Sequence, residues 1–211
     1  MTEIDEFAND KEIQRIRKEQ AAFEKMINES KEMIRQKFQM TDAIDSNLEG
    51  FWMMKSLTNA AVYETIKSET QFFQIEVSIV EYHSQYQVPR NSNSGDDFYF
   101  FGLLTTKKPF PATLAYPERI REKIADIFTK AEVDCLENKR FSWNFYVLTK
   151  EKERLQQTFS LLSLDELSTF DEMEFELKGN QCLFRNSRRP VSYNEAIEFC
   201  NLTEKMISVF G

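Results

Sequence analysis

The chain has 211 residues, 41% hydrophobic and 29% charged, and its 27 basic side chains against 35 acidic ones give a net charge of -8. That is enough chain for one good-sized core, or for a domain with an appendage. A field of this sign disfavours nucleic-acid backbones and anionic membranes as general partners, and favours basic proteins.

Phenylalanine is frequent at 19, while glycine and proline are scarce at 5 each, which describes long regular elements with few special turns. The three cysteines, Cys135, Cys182 and Cys200, sit far apart in apolar contexts without paired spacing. They read as buried reduced thiols, and the expected location is cytoplasmic. The acidic start carries no signal-peptide core, and no apolar run approaches the ~20 residues of a membrane span.

The first forty residues predict a long amphipathic helix with a narrow heptad seam of Ile13, Ile16, Phe23, Ile27 and Ile34. Gln20 and Ser30 occupy the two polar seam positions, and Asp10 or Thr2 can cap the start. Either the seam packs back on the domain, or it is a partner-binding or self-association surface. Residues 40–50 are polar, end in glycine and read as a linker. Phe51-Trp52-Met53-Met54 then docks the chain into its core; contact with a membrane would need basic neighbours beyond Lys55.

From residue 72 the period becomes two. Phe73, Ile75, Val77 and Ile79 face one way and Gln74, Glu76 and Ser78 the other, before the apolar side shifts to Val80, Tyr82 and Tyr86. Residues 87–97 form a loop joining this strand to the next as a wide hairpin. The next strand, Phe98-Tyr99-Phe100-Phe101-Gly102-Leu103-Leu104, is apolar at odd and even positions alike, so it reads as central and covered on both faces.

A turn at Lys107-Lys108-Pro109-Phe110-Pro111 leads to a short strand, 113–116. Pro117 opens a helix with an Ile120, Ile124, Ile127 and Phe128 stripe. Residues 133–137 and 141–148 pair as a hairpin, with Phe141, Trp143, Phe145 and Val147 on one face. A helix covers 150–162, and Ser163 with Glu166 forms a capping box that restarts it. Residues 174–178 and 181–185 form a hairpin about Gly179-Asn180, with Glu174 and Glu176 on its wet side. Ser192 with Glu195 opens a terminal helix lined by Ala196, Cys200, Thr203, Ile207 and Phe210.

Strict βαβ alternation is absent. The predicted class is α+β: a mainly antiparallel sheet of about six to seven strands with helices on its faces, preceded by the long N-terminal helix. The expected organisation is helix 1–39, linker 40–50 and a single domain 51–211.

Chemistry is sparse. His83 is the only histidine, and Ser84 points to the opposite strand face, so no nucleophile–base pair is predicted. One histidine and three scattered cysteines give no metal-ligand spacing, and the five glycines form no phosphate cradle. Asp96-Asp97 and the alternating Glu132, Asp134 and Glu137 are the acidic candidates, read as solubilising residues. Arg185, Arg188 and Arg189 stand ahead of a helix N-terminus as an anion-binding candidate, against the reading of arginines paired with surrounding acid. No catalytic residue, metal or cofactor is expected.

From residue 50 onward the order of elements resembles an uncharacterised bacterial family, domain of unknown function three-one-three-seven. The matching residues are the 98–104 run before a lysine and proline turn, Val133-Asp134-Cys135-Leu136-Glu137, Phe141-Ser142-Trp143-Asn144-Phe145-Tyr146-Val147, the Leu161-Leu162 helix and the 174–184 hairpin. The resemblance implies a domain placed after an N-terminal helical region and a pair of transmembrane helices, but here residues 40–50 stand where that pair would be. It supplies no activity. The leading expectation is a cytoplasmic, non-catalytic protein-binding domain (an adaptor, inhibitor or immunity-type partner) with an acidic surface and a protein partner of basic character. The alternatives are a peripheral membrane or envelope-associated domain and a carboxylate-based enzyme.

Overall fold

The computed structural model describes residues 3–83, 97–117, 133, 137–186 and 189–211. Helix α1, Glu3–Phe38, contains no glycine or proline to interrupt its 36 residues. It stops where Gln39 turns left-handed at φ 51°, and the Met40 N–H closes the helix end on the Arg35 carbonyl at 2.9 Å. Among the described residues six strands follow: β1 Thr41–Ala43, β2 Thr58–Glu69, β3 Phe73–His83, β4 Asp97–Pro117, β5 Phe145–Thr149 and β6 Glu174–Arg185. All pair antiparallel, β1-β2-β3-β4-β5 in order with β6 along β4. Together with the helices they make the α+β fold that the sequence predicts.

The organising strand is β4. Its first half pairs with β3 and its last five residues with β5, while β6 runs along it from Ala115 back to Gly102. Gly102–Leu104 thus lie between two strands, whereas Phe98–Phe101 pair with β3 and the Phe98 carbonyl accepts from the Val191 N–H at 2.6 Å. Tyr99, Phe101 and Leu103 enter a smaller core with Leu48, Phe51 and Met53. Phe100 and Leu104 enter the larger core beneath the helices. Gly102 lies opposite Phe184, and a Cβ built on it would sit 2.2 Å from that ring. Phe184 is fully buried and stacked on Phe199 at 5.7 Å, so the ring has nowhere to go. Gly102→Ala should therefore lower stability by about 1–3 kcal/mol in chemical denaturation, against the usual gain from replacing a strand glycine. A neutral or stabilising result would show that Phe184 can move.

Several expected boundaries differ. Residues 40–50 are no tether: they contain β1 and bury Met40 and Leu48, because the short edge strand holds the chain on the sheet. Strand β2 is an element that the sequence pattern does not predict. The Lys107–Pro111 turn and the Gly179-Asn180 hairpin are both absent as such. β4 and β6 run on through those points, with register irregularities between Thr105, Phe110 and Thr113 opposite Gly179 at φ 60°. Bulges of this kind are where a sheet tolerates prolines and bends its strands.

The hairpin expected around residues 133–148 gives way to helix α3, Lys139–Asn144, leading into β5. Phe141 and Phe145 stack at 4.9 Å, a pairing that i, i+4 spacing across the helix end allows, and Trp143 is left 80% exposed. The free Phe141 N–H is taken by Asp165 at 3.0 Å. Ser163 caps nothing with its side chain; residues 164–169 form a 3-10 helix behind α4, Lys152–Phe159. The terminal helix α5, Tyr193–Phe210, has the expected cap, with the Glu195 N–H on Ser192 Oγ at 3.1 Å. The helix expected after Pro117 lies outside the described residues.

Candidate functional site

The α1 seam divides in two. Ile27 and Ile34 are buried in the larger core, and Phe23 is half-buried with its ring 5.3 Å from Phe98. Met26, Met33 and Phe38 pack against the same core, and Lys37 bridges to Glu204 of α5 at 2.7 Å. The N-terminal part does otherwise. Residues 12–22 are all exposed, with Ile13 at 41% and Ile16 at 44%. At 1.5 Å per residue the 36-residue helix is about 54 Å long, and among its described side chains those from Phe23 onward lie on the domain. Arg15, flanked by Glu12 and Glu19 at 3.8 and 3.7 Å, keeps the projecting part regular. The five seam residues named from sequence are thus not one surface: three serve the fold, and Ile13 and Ile16 do not.

The arginine candidate is also taken apart. Arg185 lies at the end of β6, 5% exposed, with Nε 2.9 Å and a terminal nitrogen 2.5 Å from Glu174 Oε2. Its other terminal nitrogen donates to the Tyr82 hydroxyl at 2.6 Å, and the guanidinium lies 5.5 Å from the centre of the Phe101 ring. Burial opposes the charge, but Glu174, Tyr82 and Tyr99 outweigh it and the Arg185 pKa moves up. Arg189 is exposed and 3.6 Å from Glu172, and Arg188 lies outside the described residues. The α5 N-terminus beside them carries Ser192 and two acids, Glu195 and Glu198, which hold Asn186. An incoming anion would therefore meet Arg185 already neutralised and carboxylates at the helix start.

Glu174 and Glu176, expected on a wet face, are a buried ion-pair partner and a half-buried cap. Glu176 accepts the Trp52 and Met53 N–H groups at 3.0 and 2.8 Å, fixing the start of α2, Trp52–Lys55. Burial raises its pKa, and those two hydrogen bonds oppose the rise. Sequence spacing gave no signal for either role, because both partners come from distant segments.

Other reactive groups are muted. Cys182 and Cys200 are free, buried thiols; burial pushes Cys182 well above the usual value and Cys200 to about 11. Both are poor nucleophiles at neutral pH. His83 pairs through its backbone with Thr58. Asp97 accepts from the Tyr99 hydroxyl at 3.2 Å, whereas Cys135, Asp96, Glu132 and Asp134 lie outside the described residues. Among the described residues no group of three or more His, Cys, Asp or Glu could hold a metal ion, and no helix is long and apolar enough to cross a membrane. Comparisons of the chain with models of known families, with curated proteins and with solved structures found no match.

Proposed function

We propose that this chain is a non-catalytic protein-binding domain that pairs a partner helix with the projecting part of α1. One observation carries the reading: a single heptad seam is buried on the domain from Phe23 onward and left in water at Ile13 and Ile16. Burying a large aliphatic side chain contributes about 1.5–3 kcal/mol, so two aligned isoleucines on a rigid arm are the start of a helix-in-groove or coiled-coil contact. The cytoplasmic location belongs to the same reading, supported by two free, buried thiols.

The test places a photo-crosslinking phenylalanine analogue at Ile16 or, on the opposite helix face, at Lys18 of the full chain in its native cell. Crosslinks to one protein species are expected from position 16 and not from position 18, and they should disappear with Ile13→Glu. The thermal midpoint of the Ile13→Glu protein should stay unchanged, since Ile13 is exposed and belongs to neither core among the described residues. Equal crosslinking from both faces would overturn the proposal.

A further inference from the structure

The second open surface is a sheet edge. β2 runs for 12 residues, but β1 covers only Thr65, Ile66 and Lys67 on its outer side. Among the described residues no strand lies beside the rest of that edge, of which residues 58–64 are the longer part. The reason is local. After Ala43 the chain leaves the sheet at Ile44, which is fully exposed, and turns inward to bury Leu48 and Phe51 in the smaller core.

The departure opens a groove of about 590 Å³ between residues 43–49 and residues 60–65, lined also by Met54 and Lys55. Val62 and Tyr63 are partly exposed along it, so its wall carries apolar surface as well as backbone groups. Register shifts interrupt the open stretch between Thr58 and Ala61 and between Val62 and Glu64, so it offers regular backbone to an extended segment of a few residues only.

We infer that this groove takes an extended basic peptide from a partner protein, which continues β1 as an added strand beside β2. Two features select that occupant. Unpaired backbone along a strand supplies main-chain hydrogen bonds to any extended chain. The groove's charged lining is Asp45, Glu49, Glu64 and Lys55; Glu64 is held by Lys31 at 2.5 Å, while Asp45 and Glu49 are exposed. Alternate lysine or arginine side chains would reach those carboxylates, and intervening apolar ones would meet Ile44 and Val62. Irregular pairing between Val62 and Glu64 confines the addition to a short segment, against open-ended stacking of copies.

The experiment uses the full chain and an octapeptide library with Lys or Arg at alternate positions and all residues between them. The probes are selected binders, their charge-reversed twins and twins N-methylated on the backbone. Binders are expected to emerge, to weaken with salt, and to slow hydrogen exchange of the amides of residues 60–64. Charge reversal, N-methylation or the Asp45→Lys/Glu49→Lys variant should each cost at least about tenfold in affinity. Four outcomes would overturn the inference. They are no binder from the basic library, equal binding of N-methylated peptides, equal binding by the Lys variant, or protection of residues 60–64 by concentration-dependent self-pairing. Crosslinking at Ile16 is independent of all four, so this inference and the α1 reading fail separately.

Discussion

Replacing Arg185 by Met, or Glu174 by Gln, is expected to destabilise the protein by about 3–5 kcal/mol in chemical denaturation. Each change removes the opposite charge from a buried partner: a carboxylate in one case, a guanidinium in the other. The expected size follows from burial, because exposed pairs of the same type contribute about 0–1 kcal/mol. Replacing both, as Glu174→Leu/Arg185→Met, should recover most of the loss, since a well-packed apolar pair avoids the desolvation of two charges. The pH dependence has a definite sign. A base whose folded pKa is raised contributes fully below its unfolded value and loses that contribution only as pH climbs through the higher folded one. The Arg185 contribution is therefore constant across the neutral range. A loss below about 1 kcal/mol for Arg185→Met would mean that water reaches the pair.

Removing residues 1–38 should abolish cooperative folding, whereas removing residues 1–20 should leave the thermal transition near its original midpoint. The longer deletion strips Ile27 and Ile34 from the larger core, together with the partial cover given by Phe23, Met26, Met33 and Phe38. At about 1.5–3 kcal/mol for each fully buried side chain, the sum is comparable with the 5–15 kcal/mol that holds a typical domain together. The shorter deletion removes exposed side chains among those described. Ile34→Ala isolates the effect at one position: with Ile34 fully buried, the expected loss is about 2–5 kcal/mol. A cooperative transition in the chain lacking residues 1–38 would restore the separate N-terminal unit that the sequence suggests.

What could be read from the sequence was what depends on near neighbours. The two-sided run at 98–104, the alternation of Phe73, Ile75, Val77 and Ile79, and the Ser192 cap each carry their cause within a few residues. Strand β2 carries no such pattern; its apolar residues are few, and its place is set by β3 across the tight turn. Phe141, Trp143, Phe145 and Val147 satisfy a strand's alternation, but Phe141 and Phe145 also satisfy helical spacing. Asp165, which caps the helix from another segment, accompanies the helical choice. For the candidate sites the same distinction holds. The seam on α1 was legible, but where the domain stops covering it was not. Arg185 looked free because Tyr82 and Glu174, which hold it, approach only in three dimensions.

The arrangement of β4 also bears on how the chain is made. During synthesis, β3 and the first half of β4 emerge in succession and can pair, but β6 emerges much later. Until then the second edge of β4 is open, and Tyr99, Phe101 and Leu103 lack Leu183 on that flank. An apolar strand with an unpaired edge is the usual starting point for association between nascent chains on neighbouring ribosomes. Pairing of β6 with β4 closes that interval, and it leaves the outer edge of the sheet to β1 and the groove beside it.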